Sequence, residues 1–407
     1  MTPAGHLAEA LSGEHVASLG VAVSGGGDSM ALLYLAAEWA DRANVGLRVA
    51  TVDHGIRADV HAEHAAVANA SRDLELEHSI LCVPPLAPGN VQHAARRARY
   101  EALAEWARVE GCAAVLLGHT ENDLAETLLI RLARGSGLDG LSAMEPDFMR
   151  QDMRFLRPLL GVGRAALRAE LTQRDVSWCE DPSNEDTSFQ RVRARQALEA
   201  LATLGLEAAA LADTANRLRM TQRALDDTVN HFAERSVAQA ADGSVRIDLG
   251  SFGELGVHLR ARILGEVLRR LTGGDYAPRW AQIEAVLAQL KAAGDVATLA
   301  HHRIARHAQT LHVTRETKGL PAPQPLTSGL IWDARWRIEG ATERAIIPLG
   351  ESGLKRMDWR QTGLSRRALL ASPALDAGEE PPQSLILEPP SGLTATLMPL
   401  LPLVLAR

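Results

Sequence analysis

Short apolar runs alternate with longer stretches of helical periodicity over the first 160 residues. The runs at 20–24, 47–52, 78–83 and 113–118 read as strands buried on both faces. The stretches near 28–40, 59–76 and 90–110 between them read as helices, with Asn90 suited to an N-cap and Gly111 to the C′ position of the last. Strand and helix alternating at this spacing predict parallel pairing through right-handed crossovers, hence an α/β fold with a doubly wound, mostly parallel sheet. Ligands bind such sheets beyond the carboxyl ends of the strands, so the loops after Val23, Val52 and Leu117 are the ones to inspect.

Beyond this region the pattern changes. Residues 196–240 and 256–293 are helical in pattern and rich in Ala and Leu, with a strand-like break at 245–249. His301, His302, His307 and His312 lie where polarity alternates and read as surface residues of a hairpin. The Pro-rich stretch 319–325 has the composition of a semi-rigid linker. Alternation at 330–338 then opens a β-rich tail. No period of about 20 to 50 residues recurs, which argues against a solenoid.

Composition narrows the chemistry. At 407 residues, with 46% apolar and 23% charged side chains, the chain can fold and is long enough for two or three domains. Among its 43 Lys and Arg residues only Lys291, Lys318 and Lys355 are lysines, and none follows a glycine. The Walker pattern G-x-x-x-x-G-K-[ST] is therefore excluded, and any bound nucleotide is held without its lysine. A net charge of −7 argues against a nucleic-acid binder that uses its whole surface, while leaving room for a local arginine patch. Cys82, Cys112 and Cys179 form no C-x-x-C pair, so neither a disulfide framework nor a cysteine zinc site is indicated. No uninterrupted apolar stretch reaches the length of a membrane span, and a cytoplasmic protein with no membrane partner is expected.

The loop after the first strand reads Ser24-Gly25-Gly26-Gly27-Asp28-Ser29 and runs straight into an apolar helix. Successive glycines let the backbone approach an anion, and the free N–H groups of the following helix start complete an anion site. Asp28 would lie beside bound phosphates, where a carboxylate is electrostatically wrong unless a divalent cation bridges them; Mg²⁺ is inferred on that ground. The bland alternative is a glycine-rich turn with Asp28 as an ordinary N-cap.

This hexamer resembles the S-G-G-x-D-S signature of the PP-loop ATP pyrophosphatases. Further segments, in the same order, resemble the tRNA(Ile)-lysidine synthetases within that superfamily. They are Asp53-His54-Gly55-Ile56-Arg57, Ala95-Arg96-Arg97-Ala98-Arg99-Tyr100 and Gly118-His119-Thr120-Glu121-Asn122-Asp123-Leu124-Ala125-Glu126-Thr127. Arg134-Gly135-Ser136-Gly137, Gly140-Leu141-Ser142-Ala143-Met144, Arg157-Pro158-Leu159-Leu160 and Glu180-Asp181-Pro182-Ser183-Asn184 follow. Asn122 and Leu124 depart from the commonest family pattern but leave Asp123 in register.

The resemblance implies ATP-dependent ligation of L-lysine to C2 of cytidine 34 in tRNA(Ile) with a CAU anticodon. That makes the chain a ligase forming a carbon–nitrogen bond, working through an adenylated cytidine and releasing pyrophosphate and AMP. ATP and Mg²⁺ are the implied cofactors, and a homodimer is left open. Asp28, Asp123 and Arg191 are the implied catalytic residues, with Asp28 and Asp123 holding the metal. Ser24, Gly25, Gly26, Gly27, Asp28, Ser29, Asp53 and His54 would bind ATP. Arg96, Arg99, His119, Glu126, Arg134, Ser183, Asn184 and Arg195 are the implied RNA or substrate contacts. For Asp123 and Glu126 the competing reading is a solvated first turn, and for His119 and His54 a satisfied structural histidine.

Arg154, Arg157, Arg164, Arg168 and Arg174 face a single acid, Glu170, in the same stretch, which makes it a candidate RNA-facing edge; Arg164, Arg168 and Arg174 taken singly read as helix-surface residues. The expected domains are a PP-loop catalytic domain (1–200), a mainly helical tRNA-binding domain (201–316), a Pro-rich linker (317–326) and a diverged C-terminal domain (327–407). Nine basic and nine acidic residues in 319–407 leave that tail without the lysines of longer family members. The alternatives are another PP-loop tRNA-modifying enzyme or a catalytically inactive tRNA-binding paralogue. Thiolation is disfavoured by the lack of paired cysteines, and amide synthesis by the lack of a glutaminase pattern.

Overall fold

The computed structural model describes residues 1–53, 61–83, 91–142, 144–180, 187–188, 190–274, 277–291 and 295–404. The chain forms two compact units, Met1–Gln222 and Arg223–Leu405.

In the first unit the elements run α1 (Pro3–Ala10), β1 (Ser18–Ala22), α2 (Gly27–Ala43), β2 (Gly46–Asp53), α3 (His61–Asp73), β3 (Glu77–Cys82), α4 (Val91–Val109) and β4 (Ala114–Leu117). They continue with α5 (Glu121–Ala133), α6 (Leu138–Leu141), β5 (Asp147–Arg150), β6 (Met153–Leu156), α7 (Arg164–Gln173) and α8 (Gln190–Ala202). The six strands form one sheet in the order β3-β2-β1-β4-β6-β5, parallel except for the β5–β6 hairpin. The doubly wound, mostly parallel sheet expected from the sequence is present.

Alternation along the strands feeds two cores. Leu19, Val21, Ala114 and Leu116 pack with Met30, Leu33, Leu167 and Leu171 on one face. Ala22, Val115, Leu117 and Phe155 pack with Tyr100, Leu103 and Trp106 of α4 on the other. One strand departs from the expectation of burial on both faces: β3 is the sheet edge, and its Ile80 is 48% exposed. The proposed N-cap Asn90 lies outside the described residues.

In the second unit come α9 (Ala208–Ser236, within which the division falls), β7 (Val237–Gln239), β8 (Val245–Asp248), α10 (Leu249–Glu254), α11 (Val257–Thr272), α12 (Trp280–Lys291), β9 (Val296–Leu299), β10 (His302–His307) and β11 (Thr310–Arg315). These strands form an antiparallel sheet, β7-β8-β11-β10-β9, against which α11 buries Ile263, Leu264, Val267 and Leu268. The remainder comprises β12 (Gln324–Leu326), β13 (Leu330–Trp332), β14 (Trp336–Glu339), β15 (Thr342–Pro348), α13 (Gly350–Lys355), α14 (Arg366–Leu370), β16 (Pro373–Ala377), β17 (Glu380–Ser384) and β18 (Thr394–Leu397), in two small antiparallel sheets.

Two features depart from the sequence reading. The Pro-rich stretch carries an edge strand, β12, where proline is tolerated because one side of the strand needs no donor. Just before it, Arg315 donates to the carbonyls of Lys318 at 2.9 Å and Gly319 at 2.7 Å. The hairpin at 302–315 is present, but His302 is fully buried rather than on the surface, its Nδ1 2.7 Å from the Ala300 carbonyl.

Candidate active site

At the carboxyl end of β1 the chain turns through Ser24–Ser29 into α2, with Gly26 as N-cap. Ser29 knots this turn. Its Oγ accepts from the Ser24 backbone N–H at 3.1 Å, donates to the Gly26 carbonyl at 2.9 Å and lies 3.2 Å from Ser24 Oγ. Gly25 is left-handed at φ 89°, and a Cβ there would press on the Glu63 backbone at 3.2–3.3 Å. Gly118, at the end of β4, meets the loop from the side: a Cβ on it would lie 3.1 Å from Ser29 Cα and 3.2 Å from the Asp28 carbonyl. The first-turn N–H groups of α2 have no intrahelical acceptors, which is what an anion seat requires.

Three carboxylates gather beside this loop around one guanidinium. Arg164, in the first turn of α7, donates from Nε to Asp28 Oδ2 at 3.0 Å. Its Nη1 lies 3.4 Å from Glu126 Oε1 and its Nη2 3.9 Å from Asp123 Oδ1. Arg195 adds a second cation to Glu126, at 3.1 Å. Asp123 also closes a capping box on α5, its Oδ2 accepting from the Thr120 backbone N–H at 2.9 Å. Its two oxygens therefore divide between holding the helix start and facing Arg164. Glu126 is 1% exposed, and its Oε2 has no hydrogen-bond partner among the described residues. Burial raises the Asp28 carboxyl above its ordinary range, opposed by Arg164 and reinforced by the charge of Asp123. For Arg164 burial works against the charge, but the surrounding carboxylates outweigh it and the pKa is raised.

Arg164 read as a surface residue in the sequence; in the structure it is the centre of the cluster. A signal was available, because a cation in a first helical turn opposes the macrodipole and needs a local reason. Asn122, which departs from the commonest family pattern, accepts from the Arg164 backbone N–H at 2.8 Å and so anchors the start of α7. Arg168 and Arg174 are ion-paired, with Glu180 and with Glu38 and Glu170 respectively. Arg154 binds Glu14 and Asp147.

A second cluster lies around His119. Arg157 Nε donates to His119 Nδ1 at 3.3 Å, and Arg157 Nη2 is 3.4 Å from the Tyr100 hydroxyl. Arg96 reaches the same hydroxyl at 3.2 Å, and Arg150 lies over the Tyr100 ring at 4.6 Å. Burial, then the charges of Arg157, Arg99, Arg96 and Arg191, hold the His119 imidazole well below its ordinary pKa. Burial pushes the Tyr100 hydroxyl up, but Arg96, Arg157 and Arg99 reverse this, and its pKa is lowered. Arg157 and Tyr100 carry this basin; the sequence placed Arg157 on a candidate RNA-facing edge, whereas it is buried, and gave Tyr100 no role of its own. Arg134 pairs with Gln190, and Asp53 ends β2 with its carbonyl accepting from Val83. His54, Ser183 and Asn184 lie outside the described residues.

The oxygen-only donor set of Asp28 and Asp123 fits a hard cation. Among the described residues no group of three or more His, Cys, Asp and Glu side chains forms a protein-only metal cage. Two carboxylates beside a phosphate seat match the usual way of holding Mg²⁺, through one or two carboxylates and the phosphates of the substrate.

A phosphate-cradling turn after the first strand of a doubly wound sheet, flanked by acids from the next strand end, defines a PP-loop ATP-binding domain, and the sequence profile of that domain matches residues 4–201. Over 395 residues the chain is 39% identical to the tRNA(Ile)-lysidine synthase of Ruegeria pomeroyi, covering 95% of this chain and 92% of that one. It is 36% identical to the tRNA(Ile)-lysidine synthase of Hyphomonas neptunium, over 75% of this chain and 83% of the relative. The chain belongs to the tRNA(Ile)-lysidine synthase family. Among the described residues no helix is long and apolar enough to cross a membrane.

Proposed function

We propose that this enzyme uses ATP to ligate L-lysine to C2 of cytidine 34 in tRNA(Ile), giving lysidine. The observation that carries the reading is the convergence of Asp28, Asp123 and Glu126 on Arg164 beside the Ser24–Ser29 turn. The C2 oxygen attacks the α-phosphorus of ATP and pyrophosphate leaves. The ε-amine of lysine then attacks C2, AMP departs with the oxygen, and the amine loses a proton. The nucleophilic amine comes from the substrate, which suits a chain whose first 290 residues contain no lysine.

Each residue has a part in this scheme. The glycine turn and the start of α2 hold the ATP phosphates through backbone N–H groups. Asp53 and His54 are assigned to the adenosine. Asp28 and Asp123 would hold Mg²⁺, whose positive charge would offset the negative charge developing on pyrophosphate. Arg191, with Arg96 and Arg99, presents cations to the phosphates around the target nucleotide, where arginine forks match phosphate oxygens. Glu126 and Arg195, with Arg134, Ser183 and Asn184, are assigned to the lysine and RNA side of the site. The helical part of the second unit is assigned to tRNA binding, and a cytoplasmic location is the one that suits a tRNA substrate. The intact turn and carboxylate cluster disfavour an inactive tRNA-binding paralogue.

The test is incubation with ATP, lysine and tRNA(Ile). Lysine-dependent AMP release and lysidine at position 34 are expected, and their absence rejects the reading. Asp28→Ala and Asp123→Ala should each abolish turnover; near wild-type rates would reject the metal assignment.

A further inference from the structure

His119 stands where the two clusters meet. It follows Gly118, where a Cβ would lie 3.1–3.3 Å from the Asp28–Ser29 backbone, and its ring reaches toward the arginine basin. Arginine has donors and no acceptor, so a bond from Arg157 Nε to His119 Nδ1 requires Nδ1 to be the accepting, unprotonated nitrogen. A neutral imidazole then carries its only proton on Nε2. The ring is kept neutral by burial and by four arginine charges. Arg157 is itself held fast: it is buried, donates to the Glu145 carbonyl and the Tyr100 hydroxyl, and stacks over Phe148 at 4.0 Å. Among the described residues Nε2 of His119 has no hydrogen-bond partner, and it is not one of the buried orphan atoms. The site thus offers one fixed N–H donor beside the nucleotide loop.

We propose that Arg157 locks His119 as the Nε2–H tautomer and that this N–H donates to N3 of the target cytosine, making His119 a determinant of cytosine over uracil. Resting on the lysidine-forming reading above, the proposal assigns the base-selecting contact. Cytosine presents a bare acceptor at N3, whereas uracil carries a proton there, so two donors would oppose each other. A histidine free to exchange tautomers could turn an acceptor toward uracil; one held by an arginine cannot. Arg157 is the positioning residue and His119 the contact.

Two measurements test this. In the free protein with ¹⁵N-labelled histidine, long-range ¹H–¹⁵N correlation should show a pyrrole-type Nε2 and a pyridine-type Nδ1 for His119, unchanged between about pH 6 and 8. An Nδ1–H tautomer or a protonated ring overturns the proposal, whether or not any variant folds. Second, kcat/KM is compared on tRNA(Ile) transcripts carrying cytidine or uridine at position 34. His119→Gln, which keeps an N–H donor near the Nε2 position, should stay within about tenfold of wild type on the cytidine transcript. His119→Ala should lose about 100-fold on that transcript and narrow the cytidine-to-uridine ratio, with its affinity for ATP unchanged. An unchanged ratio in His119→Ala overturns the proposal. A wild-type protein that makes no lysidine overturns the underlying reading instead, and the tautomer result still stands by itself.

Discussion

Arg164 donates from Nε to Asp28 Oδ2 at 3.0 Å, joining the first turns of α7 and α2 across the mouth of the phosphate-binding turn. The guanidinium stands between the two carboxylates assigned to Mg²⁺, so one positive group holds together acids that would otherwise repel. Removing it takes the ion pair from the partly buried Asp28 and the facing cation from Asp123, while Glu126 keeps Arg195; losing one partner of a partly buried pair costs up to about 3 kcal/mol. We expect Arg164→Met to melt well below wild type in EDTA and to recover part of the loss when Mg²⁺ is added, more than wild type gains. Equal melting temperatures in EDTA, or no extra response to Mg²⁺, would show that Arg164 does not neutralise this cluster.

Gly118 sets how closely β4 approaches the turn. A methyl group there would meet the Ser29 Cα, the Asp28 carbonyl and the Ser29 N–H at 3.1, 3.2 and 3.3 Å, all backbone atoms with little room to yield. Gly118→Ala should therefore shift the Asp28–Ser29 segment and cost about 1–3 kcal/mol, the usual range for overpacking. The KM for ATP should rise while that for tRNA changes little. A KM for ATP equal to wild type would mean that the turn tolerates the displacement.

The turn was legible in the sequence because it is local: a glycine run, an aspartate and a helix start occupy six consecutive positions. Asp123 was legible only through the ordered family motifs, because an acid in a first helical turn reads equally as a solvated one. Arg164 was not, since its meaning depends on Asp28, 136 residues away in the chain. The same holds for Arg157 and Tyr100, whose contacts span 57 residues. His302 was misread as exposed for a related reason. Alternation identifies a hairpin, but which of its faces is covered depends on the elements packed against it.

Tyr100 aligns the arginine basin. Its hydroxyl receives Arg96 at 3.2 Å and Arg157 at 3.4 Å, and Arg150 covers its ring. Tyr100→Phe keeps the ring packing and removes only the oxygen, so the stability loss should be about 1 kcal/mol. With Arg96 released while Arg157 stays held by the Glu145 carbonyl and His119, the KM for tRNA should rise roughly three- to tenfold, consistent with a loosened charge-assisted contact to phosphate. The KM for ATP should be unaffected. A parallel rise in both constants would assign Tyr100 to the fold of the domain and not to its basic surface.

His302 makes the second unit sensitive to acid. Burial pushes its pKa down to about 3, while Nδ1 bonds the Ala300 carbonyl and Nε2 has no partner among the described residues. Because a carbonyl only accepts, the proton is on Nδ1 and the native ring stays neutral. Once unfolded, the same imidazole titrates near about 6.5, so below that pH the unfolded chain binds a proton that the native chain refuses. Stability from this residue is complete above about pH 6.5 and is lost as the pH falls toward 3, at up to about 1.4 kcal/mol per pH unit. Other histidines also titrate in the unfolded chain, so the comparison must isolate one of them. His302→Asn places an amide N–H near the Nδ1 position and cannot ionise in this range. Urea unfolding of the full chain, followed by a probe in the second unit between about pH 5 and 7, should show a shallower pH dependence for this variant, by up to one proton. Parallel curves for the two proteins would mean that His302 is already protonated in the native state.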